Sequence, residues 1–234
     1  MKTGLYLIPV TLGDVNPELT LPASVFDVIR NLDIFIVENA KTARRFLRKA
    51  GFEKSFDDVL LHEIDKHMEN QDFGSIIDLL KTGKPVGLLS EAGTPCIADP
   101  GAGIVKLCQD NGIPVFPLVG PSSILLSLMG SGFNGQNFTF HGYLPIDNLE
   151  LRKKIKAIEM AVYQNDQTQI FIETPYRNQK LFGNLLKTCS ANTFLCLASE
   201  LTTENEVIRS KSIAEWHKTR VDLNKKPTVF LLYK

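Results

Sequence analysis

Two rhythms of apolar and polar positions alternate along the first 130 or so residues. Short, almost unbroken apolar runs occur at "GLYLIPV" (4–10), "DIFIVE" (33–38), "PVGLLS" (85–90) and "IPVFPLVG" (113–120). Such runs predict strands buried on both faces. Between them the spacing turns helical. "PASVFDVIRNL" (22–32) sets Val25, Val28 and Ile29 on one face, and "NAKTARRFLRKAG" (39–51) is a basic helix closed by Gly51. "SIIDLLKTGK" ends a third helix at Gly83, "GIVKLCQDNG" is a fourth, and "PSSILLSLMGSG" opens a fifth with proline in its first turn. Strand and helix in regular alternation predict a mainly parallel sheet covered by helices.

Around 134–150 the pattern breaks into "FNGQNFTFHGYLPIDN", rich in Gly, Asn and aromatics. A domain boundary is placed there, giving an N-terminal α/β domain over 1–135 and a C-terminal one over 136–234. The second half reads as a long polar helix (149–164), strand "TQIFIE", helix "PYRNQKLFGNLLKTC", strands "TFLCLAS" and "EVIRSK", a short helix around "IAEWHK", and a last strand "PTVFLLY". Three strands with only a short helix among them predict a mixed sheet. The fold class is therefore α/β, in two domains.

Ligands of open α/β sheets bind beyond the carboxyl ends of the strands. Here those ends carry "PVTLGD", Glu38 with Asn39, "SEAGTP", "VGPSS", "ETPYR" and "ELTTE". One such turn is explained by the ordinary needs of a strand-to-helix connection; six together predict a shared cleft. In "SEAGTPCIADPG" (90–101) Gly93 frees the backbone for a positive φ or for close contact with a ligand, and Pro95 fixes the direction that follows. Ser122 and Ser123 follow Pro121 at a helix start, where unpaired N–H groups suit an anion and equally read as a simple cap. Tyr176 and Arg177 read either as a helix start with a surface cation or as a stacking and anion-binding pair.

Composition narrows the partners. Lys plus Arg and Asp plus Glu are equal at 26 each, so the 234-residue chain has no net charge and no overall nucleic-acid signature. Local patches such as "KTARRFLRK" keep RNA open as a substrate. Cys96, Cys108, Cys189 and Cys196 make no CxxC pair and have no histidine at zinc spacing, so no metal site is expected. His62 and His67, five apart, share no helical face and read as surface histidines; His141 reads as a structural one. The opening "MKTGLYLIPVTLGD" lacks a signal-peptide pattern and no apolar stretch is long enough to span a membrane, so a cytoplasmic protein is expected. GxGxxG after the first strand, GxxxxGK[ST], GxSxG and HExxH are all missing, which disfavours dinucleotide, P-loop, serine-hydrolase and zinc-protease chemistry.

"SEAGTPCIADPG" resembles the [ST]-[DE]-AGTP-x-x-x-DPG signature of the tetrapyrrole methylase superfamily, in its branch of ribosomal small-subunit RNA cytidine 2′-O-methyltransferases. "LYLIPVTLGD", "PLVGPSSILLSLMGSG", "FTFHGYLP", "FIETPYR" and "ASELTTENEVI" resemble further segments of that branch, in order, along nearly the whole chain. The resemblance implies two α/β domains with S-adenosylmethionine in the cleft between them, and a homodimer. By motif match it implies cofactor contacts at Pro9, Ala92, Gly93, Thr94, Ile97, Ser122, Ser123 and Glu173. Tyr176, Arg177, Arg44 and Arg45 become candidates for holding RNA or a ribosomal subunit. Methyl transfer asks a protein mainly for alignment and exclusion of water, with a base for the acceptor proton; Glu38, Glu91 and Glu200, at strand ends, are the candidates. Departures from the branch pattern, such as "ENAKTARRFL" for EDTRHTRKLL, leave open a small acceptor such as a tetrapyrrole, or a non-catalytic member that binds cofactor or RNA.

Overall fold

A computed structural model describes residues 1–64 and 73–234. The chain divides into two compact units, Met1–Ser122 and Ser123–Lys234.

In the first unit, strands β1 (Gly4–Ile8), β2 (Ile34–Val37), β3 (Leu60–Glu63), β4 (Pro85–Leu89) and β5 (Val115–Pro117) form one sheet in the order β3-β2-β4-β1-β5. Every pairing is parallel. Helices α1 (Ala23–Asn31), α2 (Ala40–Lys49), α3 (Phe73–Lys81) and α4 (Gly101–Asp110) make the return crossings. Strand side chains alternate between faces, and both faces are apolar for that reason. Tyr6, Ile8, Phe35 and Val37 pack with Val25, Ile29 and Leu47. Leu5, Leu7, Ile34 and Ile36 pack with Ile76, Leu80, Ile104 and Cys108.

In the second unit, β6 (Phe138–Tyr143), β7 (Thr168–Ile172), β8 (Phe194–Ser199), β9 (Val207–Ser212) and β10 (Thr228–Tyr233) lie in the order β6-β7-β10-β8-β9. Only β6 and β7 are parallel; the other pairings are antiparallel, so the sheet is mixed as expected. The helices are α5 (Ser123–Ser131), α6 (Asn148–Asn165), α7 (Asn178–Thr188) and α8 (Ile213–Trp216). Asp147 caps α6 by accepting from the N–H groups of Leu149 and Glu150 at 2.9 and 3.0 Å. The core sets Phe171, Leu195, Leu197, Phe230 and Leu232 against Ile155, Ile158 and Val162 of α6 and Leu181, Phe182 and Leu185 of α7. Trp216 is buried in it, donating through Nε1 to the Leu195 carbonyl at 2.8 Å and meeting Phe182 edge-on. Helix α5 packs on β8, β9 and β10, with Gly130 against Ile208.

Two strands differ from the sequence reading. β3 was not expected, because "LLHE" is a half-exposed edge strand with no alternation to reveal it. β6 lies inside the segment where the domain boundary is placed; its Gly142 adopts φ +65° and interrupts the register with β7, which hides the strand pattern. "PVGLLS" is thus the fourth strand of its sheet. The run at 113–120 yields only three strand residues, Val115–Pro117, among prolines that cannot donate to a ladder. His62 lies on β3, and His67 lies outside the described residues.

Phe230 is fully buried and stacks on Phe171 with ring centroids 5.9 Å apart. Phe230→Ala is expected to destabilise the second unit by about 3–5 kcal/mol; urea unfolding followed by circular dichroism checks this.

Candidate active site

Parallel strands bring their carboxyl ends to one edge of the first sheet. A cavity of about 70 Å³ sits there at the ends of β1, β2 and β4, with Val10, Val37 and Phe46 as its apolar wall and Glu38, Thr42 and Glu91 as polar lining. Glu38 accepts from the Glu91 N–H at 3.3 Å, and Glu91 accepts from the Thr42 hydroxyl at 2.7 Å. Asn39 caps α2 by accepting from the N–H groups of Lys41 and Thr42. The Glu91 carboxylate is thereby held by the first turn of that helix, and the Glu38 carboxylate by the Glu91 main chain. Thr42 was missed by sequence reasoning, since a threonine in a helical first turn carries no signal beyond capping.

The loop after β4 is built by its main chain. Gly93 has φ +73°, and a Cβ there would lie 2.9 Å from Leu12 and 3.2 Å from the Pro121 carbonyl, so only glycine fits. Its carbonyl accepts from the Val10 N–H at 2.9 Å and from the Ser90 hydroxyl at 3.0 Å, fastening the loop to the turn after β1. Pro9 is buried in that turn against Gly120, where a Cβ would come within 2.3 Å of the proline ring. Ala92 and Ile97 are exposed, Thr94 is half-buried, and Ser122 and Ser123 are half-buried at the start of α5. Among the described residues none accepts a hydrogen bond from the main-chain N–H groups of Ala92, Gly93 or Thr94.

Two non-glycine residues of the loop, Cys96 and Ala98, take left-handed φ values of +68° and +61°. Such strain persists only where neighbours over-determine it. Asp99 does so, accepting from the Cys96 N–H at 2.8 Å and the Gly101 N–H at 2.8 Å. Burial raises the Asp99 carboxyl above its ordinary range, against the downward pull of those two N–H groups. Burial, assisted by the Asp99 charge, pushes the Cys96 thiol up to about 12.

Glu173, Tyr176, Arg177 and Glu200 belong to the second unit, at the end of its sheet where β7 and β8 finish and β10 begins. Glu173 is almost fully buried and accepts from the Thr174 N–H at 2.6 Å and from Arg177 at 2.5 Å. Tyr176, between them, is 75% exposed. Glu200 adopts φ +52° and pairs with Lys226 at 3.6 Å. Neighbouring Asn178, fully buried, donates to the Lys226 carbonyl at 2.6 Å. Arg44 and Arg45 are exposed on α2 in the first unit. His141 lies on β6 with Nε2 2.7 Å from Gln169, and burial lowers its pKa.

No protein-family model matches the chain. It is 33% identical over 211 residues to "Ribosomal RNA small subunit methyltransferase I" of Vibrio cholerae, a match covering 90% of this chain and 69% of that protein. The chain belongs to the ribosomal RNA small subunit methyltransferase I family. A second member, from Bacillus subtilis, is 30% identical over 211 residues, covering 90% of this chain and 68% of its own. Solved structures of tetrapyrrole methylases share the fold. The methyltransferase CobJ aligns with a TM-score of 0.64 at 16% identity, covering 98% of this chain and 92% of its own. Uroporphyrin-III C-methyltransferase from Thermus thermophilus, solved in complex with S-adenosyl homocysteine, aligns at 0.56 and 16% identity, covering 99% and 97%. The small subunit methyltransferase I family is thus built here on two α/β units of the tetrapyrrole methylase type.

A thiol near 12 is almost entirely protonated at pH 8. Native protein is therefore expected to react slowly with a disulfide reagent at Cys96, and unfolding should raise the rate at least tenfold. Asp99→Ala orphans two N–H groups and is expected to cost about 1–3 kcal/mol, with faster labelling of Cys96 in the otherwise folded chain.

Proposed function

We propose that this protein is an S-adenosylmethionine-dependent methyltransferase that modifies small-subunit ribosomal RNA, at the ribose 2′-hydroxyl of a cytidine. The observation that carries the cofactor half is the loop at 91–98. A glycine-dependent turn, three main-chain N–H groups with no acceptor among the described residues and two strained neighbours suit a ligand gripped by backbone. Ala92, Gly93, Thr94 and Ile97 would make those contacts. Pro9 would fix the adjoining turn, and Ser122, Ser123 and Glu173 would complete the set. When bound, the cofactor supplies an electrophilic methyl group and its own leaving group.

The chain's part is then positioning and proton handling. With the cofactor held by those residues, the chain would align the acceptor hydroxyl with the methyl group, exclude water and take up the hydroxyl proton on a base. Glu38 and Glu91, held through Thr42 and the Glu91 amide, are two candidates, and Glu200 is the third. Each requires an acceptor within hydrogen-bond reach. Tyr176, exposed beside Arg177, offers a stacking face and a cation to the RNA, and Arg44 and Arg45 offer further cations. The rRNA methyltransferase names of the relatives support the substrate.

A cytoplasmic location follows from that substrate, and no helix among the described residues is long and apolar enough to cross a membrane. Leu125 and Met129, exposed at 52% and 78% on α5, support a homodimer as the working assembly.

Calorimetric titration with S-adenosylhomocysteine should give micromolar binding, weakened tenfold or more by Gly93→Ala. Heatless titration at millimolar ligand would sink the reading. With labelled S-adenosylmethionine, label should enter RNA of small ribosomal subunits as an alkali-resistant dinucleotide. Label in a tetrapyrrole panel instead would reassign the acceptor.

A further inference from the structure

Helix α2 carries Lys41, Arg44, Arg45, Arg48 and Lys49 and no acidic residue, in a chain with no net charge. The spacing sorts these cations into two columns, Lys41–Arg45–Lys49 and Arg44–Arg48, each with like charges four residues apart. That arrangement disfavours an isolated helix, so the fold alone gives no reason for it. The columns are braced differently. Arg48 lies 4.3 Å and Arg44 5.7 Å from the centroid of Phe56, which stacks on Phe52. Arg45 and Lys49 converge instead on one carboxylate, Asp14 in the turn after β1, with Arg45 at 3.0 Å. Other surface pairs match one cation with one acid, on the same helix in Arg30–Asp27 and Lys106–Asp110 and between distant segments in Lys54–Asp33 and Lys234–Asp166. Asp14 is shared by two cations from a distant element.

We propose that the cationic face of α2 docks the phosphodiester backbone of the substrate RNA, and that Asp14 is an internal counter-ion which the RNA displaces. This rests on the RNA-directed reading above and adds the surface and the competitor. The chemistry matches: a carboxylate gripped by Arg45 and Lys49 occupies the position of a phosphate oxygen pair. Lys49 first, by its hydrogen bond, and then the Lys49 and Arg45 charges hold the Asp14 carboxyl below its ordinary range. Arg44 and Arg48 lie over an aromatic ring; Arg48 also donates through Nη1 to the Phe52 carbonyl, and the remaining guanidinium nitrogens of both suit phosphate. The strip also leads to the right place. Its first turn meets the loop after β4 through Thr42 and Glu91 at 2.7 Å, and Lys49 lies about 10 Å further along the helix. Three arginines among five cations, two of them over an aromatic ring, favour RNA over an acidic protein as the partner.

The test is fluorescence anisotropy of a labelled single-stranded RNA on the full chain saturated with S-adenosylhomocysteine, across a salt series, with polyglutamate as the alternative anion. Arg45→Gln combined with Lys49→Gln should weaken RNA binding at least tenfold and flatten the logarithmic salt slope by about 1.4, two phosphates at about 0.7 each. Asp14→Asn should tighten RNA binding about threefold, as expected for release of weak exposed ion pairs, while Asp27→Asn should leave it unchanged. Asp14→Asn alters only an exposed side chain, so it keeps the question open to decision should the double variant fold poorly. An Asp14→Asn affinity equal to or below wild type, a double variant with wild-type affinity and slope, absence of RNA binding, or polyglutamate binding as tight as RNA would each overturn the proposal. Methyl transfer assayed on the same samples separates the readings: RNA docking with these signatures but no transfer would overturn the enzymatic reading and leave the docking surface standing.

Discussion

All five strands of the first sheet run in one direction, and the chemistry of that unit depends on it. A parallel pair cannot be joined by a hairpin, so each strand must be followed by a helical return. Each carboxyl end then becomes a turn rather than a ladder, and the turns collect along one edge. The residues that stop β1, β2 and β4 are Pro9, Glu38 and Ser90. They meet there because the sheet brings them together. The apolar packing on both faces of the sheet fixes the strands, and the strands fix the edge.

What the edge offers is mostly backbone. Gly93, Cys96 and Ala98 bend the loop after β4 into a conformation that unconstrained residues avoid, and Asp99, Ser90 and Val10 hold it there. A side-chain site can drift with its rotamers. A main-chain site cannot move without breaking the bonds that tie it to β1 and α4. That suits a reaction in which the reactive carbon arrives on the ligand and alignment is the main service required.

The periodicity disclosed most of this architecture, because strands buried on both faces and amphipathic helices write their environment into composition. It missed "LLHE", where an edge strand is half solvated, and "FTFHGY", where a glycine breaks the register. At the site, glycine and proline announced the turns at Pro9, Gly93 and Pro121. The strain at Cys96 and Ala98 was invisible, since neither residue type advertises a left-handed backbone. Thr42 and Asp14 were equally silent, because their importance comes from partners 49 and 31 or more residues away. The basic composition of α2 was plain in the sequence; that one carboxylate would serve two of its cations was not.

Trp216 is the chain's sole tryptophan, and it sits in the core of the second unit with its indole N–H tied to β8 and Lys211 over its ring. Its emission is therefore a private signal of that unit. Spectral change during denaturation tracks residues 123–234 alone, whereas ellipticity sums both halves. Disagreement between the two optical curves would measure how independently the halves melt.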